Sequence, residues 1–426
     1  MPRTPIATPR RQRDTSVNTE QSMATSGASG VGTHPLPPEL AGLDLSLVRG
    51  DIGFRLQRRL GLIPAEGMGT ARRALIFATV TWLPLAIWAL LTGRLADSDG
   101  HDTFLAHFGI HARCLIAIPL LVIAEGVAQK SVPPLLHYFV ESGLVAADRI
   151  PPFRALVASM VRLRDSVSPW IFILSIVVAW STAGAVFSRL EDLSWKNADD
   201  AANGLTFGGW WFIVVIRPLF TALLLAWLWR ACLVFILILK LAHFPLSLVP
   251  THPDRLAGLG FVERLSFIFS PVAFALSTVA AASFAHDVVY HGVNAMDIKA
   301  LLIATAVLVS FIFLVPFAPL TLLLVKVKRQ AILDYGGIAG QHGRLVRARW
   351  ILGKDIGAPA ILDAPELGPV ADVQALFDAV RRMRTFPVGK LGVLAIAGPA
   401  VLPMLYVVAI QFPLTSLVGK VIKTLI

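Results

Sequence analysis

Charge is scarce in this chain. Asp, Glu, Lys and Arg supply only 15% of its 426 residues, where a soluble domain carries about a quarter. That excludes an ordinary water-exposed globule. Cysteine is nearly absent. Cys114 and Cys232 both fall in apolar runs, where a thiol behaves as a small hydrophobe, so neither a disulfide framework nor a Cys-type metal site is expected. No Walker, GxSxG or HExxH pattern occurs, and no nucleophile–base set is evident, so enzymatic activity is not the expectation. Strand-like alternation is missing as well, which excludes a membrane β-barrel.

What the chain has in abundance is long apolar sequence. Hydrophobic residues make up 55% and the mean hydropathy is +0.69. This excess falls in blocks long enough to cross a bilayer, which takes roughly 20 helical residues. Seven stand out: Ala74–Leu91, Ala112–Ala128, Val167–Phe187, Gly209–Lys240, Arg264–Ala285, Lys299–Val325 and Leu391–Gln411. The expected fold is all-α, a polytopic transmembrane helix bundle of about seven spans (six to eight) with a small helical cytoplasmic cap. Helices satisfy their own backbone in lipid. The first block lies far from Met1 and has no small-residue cleavage site, so it reads as a span and not a signal peptide.

The net charge of +11 is explained by where the cations fall. With the N-terminus in the cytoplasm, most of the Lys and Arg lie in inner segments such as "GRLVRARW" and "AVRRMRTF". The loops "GRLADSDGHDTF" and "SRLEDLSWKNADDAANG" lie outside. This is the positive-inside pattern. The expected partners are the lipid bilayer and its anionic headgroups, and nucleic acid has no separate support.

The chain divides accordingly. Residues 1–38 read as a disordered basic cytoplasmic tail, and 39–73 as an interfacial amphipathic region in which Ile52, Leu56 and Leu60 share a face. Residues 74–325 hold six spans, with a cytoplasmic helical insert at 129–166 where Leu156, Met160 and Leu163 repeat at helical spacing. Residues 326–390 form a second insert, with an apolar stripe of Val373, Leu376, Phe377, Val380 and Met383 preceded by Pro365 and Pro369. Residues 391–426 are a last span, or a re-entrant segment bent by Pro399 and Pro403, plus the amphipathic tail "PLTSLVGKVIKTLI". Small residues every four positions, Ala273, Ser277 and Ala281 and again Ser175, Ala179 and Ala183, suit close packing inside one bundle.

Three groups of polar residues are candidates for function. Gly209–Lys240 is about 48 Å long as a helix, beyond the ~30 Å hydrocarbon core, so it must tilt or project. Arg217 sits deep inside it, ahead of Pro218. An intramembrane charge costs roughly 2.5–3.5 kcal/mol unless it faces the bundle interior or water. Arg217 therefore lines an anion or polar-substrate site, or else snorkels outward or holds an acid such as Asp192. Glu125 and Arg230 fall at a similar depth near the inner boundary and are expected to pair. On the outer side, His107 and His111 share a helix face and, with His286, Asp287 and His291, would suit zinc or another borderline metal. Their spacing matches no closed site, and interfacial histidines are the plainer explanation. No cofactor is expected beyond that candidate metal.

The third group is "PTHPDRLAGLGFVERLSF", a polar knot between two apolar blocks. His252, Asp254 and Arg255 there either hold an anion at a helix start, with Asp254 as N-cap, or simply tie helix ends to the cap. The HPD followed by GLGF, with "RLRDSVSPW" and "DVQALFDAVRRMRTFPV", resembles a group of uncharacterised bacterial multi-pass inner-membrane proteins over most of the chain after Val48. That resemblance implies an inner-membrane location and supports the span count, but brings no activity. The functional expectation is transport or channel-like handling of a small polar or anionic solute. The other reading is a membrane scaffold or sensor that binds a protein partner through its cytoplasmic cap.

Overall fold

The computed structural model describes residues 43–64, 67–95, 103–186, 206–355 and 368–411. The tail 1–38, the loop around Asp192, Pro365 and the tail 413–426 lie outside the described residues. Everything described belongs to one compact unit, Gly42–Ile426, built of helices with no strand among the described residues.

Eleven helices carry the argument. They are α1 (Ile52–Arg59), α2 (Thr70–Leu91), α3 (Phe108–Glu141), α4 (Ile150–Arg164), α5 (Ser168–Val186), α6 (Phe207–His243), α7 (Gly260–Tyr290), α8 (Lys299–Leu314), α9 (Ala318–Val346), α10 (Gly368–Arg381) and α11 (Lys390–Gln411). Among the described residues, seven helical stretches are long and apolar enough to cross a membrane, and each contains or overlaps one of the seven blocks read from the sequence. The chain forms a polytopic helix bundle. One end carries the Pro250–Phe267 knot and the other carries the histidines.

Proline shapes several of these helices without ending them. In α6, Pro218 has no N–H to give back to the preceding turn, and the turn before it, Phe212–Ile216, widens to a π turn. The helix continues to His243, so the fourth block is one element. In α11, Pro399 and Pro403 lie inside an unbroken helix of 22 residues, about 33 Å long at 1.5 Å per residue. α11 runs beside α7 from end to end. The Gly392 amide donates to Glu263 Oε1 (2.8 Å) at the knot end, and the Ala295 amide donates to Gln411 Oε1 (2.6 Å) at the histidine end. A re-entrant bend is therefore not what residues 391–411 adopt.

Packing of α7 against α11 uses the expected small residues. Ala273, Ser277 and Ala281 are buried, and Ser277 Oγ donates to the Ala400 carbonyl at 2.5 Å. The second stripe behaves differently. Ser175 and Ala179 are exposed, and α5 touches the bundle mainly through Ile173 and Val177. Small residues permit close approach but do not choose which face of a helix turns inward.

Other faces differ from the sequence reading in the same way. Leu43, Leu45, Leu47 and Val48 are almost fully buried, so this part of 39–73 is core and not interfacial. Leu56 of α1 and Leu60 just after it are exposed, and Phe54 is the buried residue of α1. α4 buries Phe153, Val157, Met160 and Arg164, a stripe rotated from Leu156 and Leu163. It meets an aromatic cluster of Phe139, Phe153, Phe244 and Phe261, and Lys240 of α6 donates to Ser159 (2.7 Å). α10 docks on α9 with Phe377 over Gly336, and Lys328 Nζ of α9 donates to the carbonyl of Met383 just after α10 (2.5 Å); Val380 and Met383 are buried. Leu376 is exposed.

A candidate buried charge cluster

Glu125 lies on α3 with its carboxylate enclosed. Its Oε2 accepts from Arg73 Nη2 at 2.5 Å and its Oε1 from Arg230 Nη2 at 2.8 Å. Arg73 comes from the start of α2 and Arg230 from α6. Asp51, just ahead of α1, adds a fourth charge, with its Oδ2 3.3 Å from Arg230 Nη2. Gln57 of α1 accepts from Arg73 Nε (2.7 Å). Two arginines and two carboxylates balance to zero formal charge, and all four are at most 3% exposed.

Local sequence builds this arrangement. Gly126, next to Glu125, lets α2 approach closely: a Cβ there would lie 3.0 Å from the Thr70 side chain. Trp227, one turn before Arg230, anchors α6 by donating its indole N–H to the Leu121 carbonyl (2.8 Å), and the Arg230 guanidinium stands 5.0 Å over its ring. Ser46, in the buried Leu43–Val48 segment, donates to Gln129 one turn along α3 and accepts the amides of Val48 and Arg49. Arg164 holds the same segment through the Ser46 carbonyl (2.6 Å).

The cluster is incompletely satisfied. Arg73 Nη1, Arg230 Nε and Arg230 Nη1 are buried and find no hydrogen-bond partner among the described residues. Asp51 Oδ1 and the nearby Trp170 Nε1 form no well-aligned hydrogen bond. Burial pushes the Asp51 carboxyl above its ordinary range, against the opposing pull of Arg230 and the Trp170 indole. Each buried polar group left unpaired costs about 1–3 kcal/mol, so a small polar guest or a water that bonded these donors would be stabilised there.

Arg217 does not join this cluster. It lies 13 positions before Arg230 on α6, about 20 Å away by rise and about 220° away by rotation. Its guanidinium stands 5.5 Å from the Trp180 ring and 5.9 Å from the Phe212 ring, and it is buried. Helix rotation sends Arg217 and Arg230 to different neighbours, so Arg217 stands apart from the Glu125–Arg230 pair. Asp51 and Arg73 complete the cluster around Glu125 and Arg230. Neither was singled out from the sequence, where Asp51 opens an amphipathic stretch and Arg73 looks like a flanking cation of the first span.

The knot folds around Asp254. Its Oδ1 accepts the amides of Leu256 (2.8 Å) and Gly258 (3.2 Å), and its Oδ2 that of Gly260 (2.8 Å). His252 Nδ1 lies 2.9 Å from Oδ1. Partial burial works to raise the Asp254 carboxyl, but the three amides and His252 outweigh it and hold the group below its ordinary range. The chain accepts left-handed backbone at Arg255, Ala257 and Gly258 to aim these amides inward. An external anion is not what they serve, since the Asp254 carboxylate already occupies the position expected for it. Arg255 contributes its carbonyl, which accepts the Arg384 amide (2.8 Å) and ties the knot to the segment after α10.

At the histidine end, His107 and His286 stack with ring centroids 5.6 Å apart, and His291 lies 5.4 Å from His286. Asp287 pairs with His291 at 3.4 Å. His111 is diverted: its Nδ1 accepts from Trp82 Nε1 (3.0 Å), so its Nε2 carries the proton and donates to the Phe104 carbonyl (3.1 Å). Both nitrogens are occupied, which removes His111 from the candidate metal ligands. Among the described residues no group of three or more His, Cys, Asp or Glu is arranged to hold a metal ion.

Comparison with protein-family models, curated proteins and solved structures finds no match to this chain.

Proposed function

We propose that this is a multi-pass protein of the bacterial inner membrane, N-terminus in the cytoplasm, that handles a small polar or anionic solute in a transport or channel-like manner. The observation that carries the reading is the set of buried donors without partners on Arg73 and Arg230, beside a carboxylate bound by both. Ionisable groups inside a helix bundle are expensive and concentrate on substrate and ion pathways. A small polar solute completing the guanidinium hydrogen bonds leaves the balanced charge of the cluster unchanged, whereas an anion must bring a proton with it, which a carboxylate of the cluster can take up. The positive-inside distribution of Lys and Arg supports the orientation.

The test is flux in liposomes reconstituted with purified protein, using chloride, nitrate, phosphate and acetate in turn. Saturable flux of one solute that falls at least tenfold in Arg230→Gln supports the reading, provided the variant elutes as folded protein. Wild-type protein without flux of any of the four would sink it. A second reading, a membrane scaffold or sensor, is favoured by the contacts that tie the knot and α10 to the bundle, the Arg384 amide on Arg255 and Lys328 on Met383. It expects a protein partner to be captured by wild-type protein and lost on Arg255→Glu.

A further inference from the structure

A groove of about 560 Å³ lies between α3, α7 and α11 in the histidine half of the bundle, walled by Phe108, Leu115, Phe274, Ala281, Leu402 and Tyr406 among others. None of its lining residues is Asp, Glu, Lys or Arg, and the His111 imidazole in its wall is neutral and fully hydrogen-bonded. We propose that it holds a quinol-type lipid, a flat ring bearing hydroxyl groups on a long apolar tail.

The tail follows from the walls, and the head from what lies at the groove's end. His286 follows the wall residue Ala285, and its ring lies 6.4 Å from that of Phe108, another wall residue. Around it are the stacked His107 ring and the Tyr290 ring at 4.9 Å. An assembly of flat rings favours a flat head by offset or edge-on stacking. The His286 Nδ1 sits 3.2 Å from the Ala106 carbonyl. A proton on Nδ1 serves that carbonyl and leaves Nε2 as an acceptor, which suits a phenolic O–H. A phosphate head is the poorer match. The groove has no Lys or Arg, and the nearby Asp287 is already paired with His291. The neighbouring groove between α8 and α11, also about 560 Å³, carries Lys299 in its wall and no imidazole, and serves as an internal control.

The experiment is equilibrium binding of a decyl-substituted benzoquinol to the full chain in phosphatidylcholine nanodiscs, kept anaerobic. Saturable binding is expected, weakened at least tenfold in His286→Phe, which keeps a ring and removes the acceptor. Leu402→Trp, which fills the groove from an exposed wall position, should abolish it, and Lys299→Ala should leave it unchanged. Folding of each variant is checked by its elution and melting temperature. No saturable binding, equal affinity in His286→Phe, or equal competition by a decyl phosphocholine would overturn the proposal and assign the groove to ordinary lipid tails.

Discussion

Glu125 bridges Arg73 and Arg230, one oxygen to each, at 2.5 and 2.8 Å. Removing the carboxylate charge leaves two buried guanidinium groups with Asp51 as the remaining carboxylate, and removing Arg230 keeps the Glu125–Arg73 pair but strips Asp51 of its ion pair. Breaking a buried pair from one side costs about 3–5 kcal/mol. Glu125→Gln and Arg230→Gln should therefore each destabilise by about that amount, since each leaves one buried charge uncompensated. The double variant should fall short of the sum by more than about 1 kcal/mol, as interacting neighbours do. Denaturation of the four proteins in one detergent measures this, and strict additivity would show that the two side chains do not sense each other.

The two aspartates outside the spans should respond to pH with opposite sign. Asp254 is held below the ordinary aspartate range by its amides. Its stabilisation is therefore present above about pH 4 and is lost as pH falls through its folded value. Asp254→Asn replaces an acceptor by a donor facing backbone N–H groups and should cost about 1.5–3 kcal/mol at neutral pH, the gap to wild type closing on acidification. Asp51 is raised by burial, so its protonation favours the fold below about pH 4, and that gain is lost as pH rises through its folded value. Relative to wild type, Asp51→Asn should thus fare better at neutral pH than in acid. Melting temperatures from pH 3.5 to 7.5 test both slopes, and parallel curves would contradict the assignment.

How far such features were visible beforehand depends on how many elements each involves. Span positions follow from one segment's composition, and so all seven agree. The Glu125–Arg230 pair was also within reach, because depth along two neighbouring spans narrows the partners of an isolated acid to few. Arg73 and Asp51 were not. Their cost-free alternative is a solvated position at a membrane edge, and only the fold shows that α1 and the Leu43–Val48 segment cover them. Helix faces failed for a related reason. An apolar helix carries little amphipathic signal in a membrane, since lipid and protein neighbours are equally apolar. Ser175 and Ala179 point outward while Ser277 points inward, from the same spacing.

The α7–α11 contact makes that difference measurable. Ser277 is fully buried against the Ala400 carbonyl, so Ser277→Leu forces extra volume between two helices in contact along their length. Overpacking of this kind costs about 1–3 kcal/mol. Ser175→Leu, on an exposed face, should stay within about 0.5 kcal/mol of wild type. If both variants melt alike, the inward face of α7 has been misassigned.

Sidedness decides what every polar group here can meet. The knot follows α6 and opens α7, while Val293 lies just beyond Tyr290 at the other end of α7. The two ends are therefore a span apart. In a background lacking Cys114 and Cys232, single cysteines replacing Thr251 and Val293 report on each side through a membrane-impermeant maleimide added to intact cells. The distribution of Lys and Arg predicts that Val293→Cys is labelled and Thr251→Cys is labelled only after lysis. The reverse pattern would turn the bundle over and expose the Asp254 knot to the outside. Labelling of both positions in intact cells would mean that α7 does not cross, and the seven-span bundle would have to be abandoned with it.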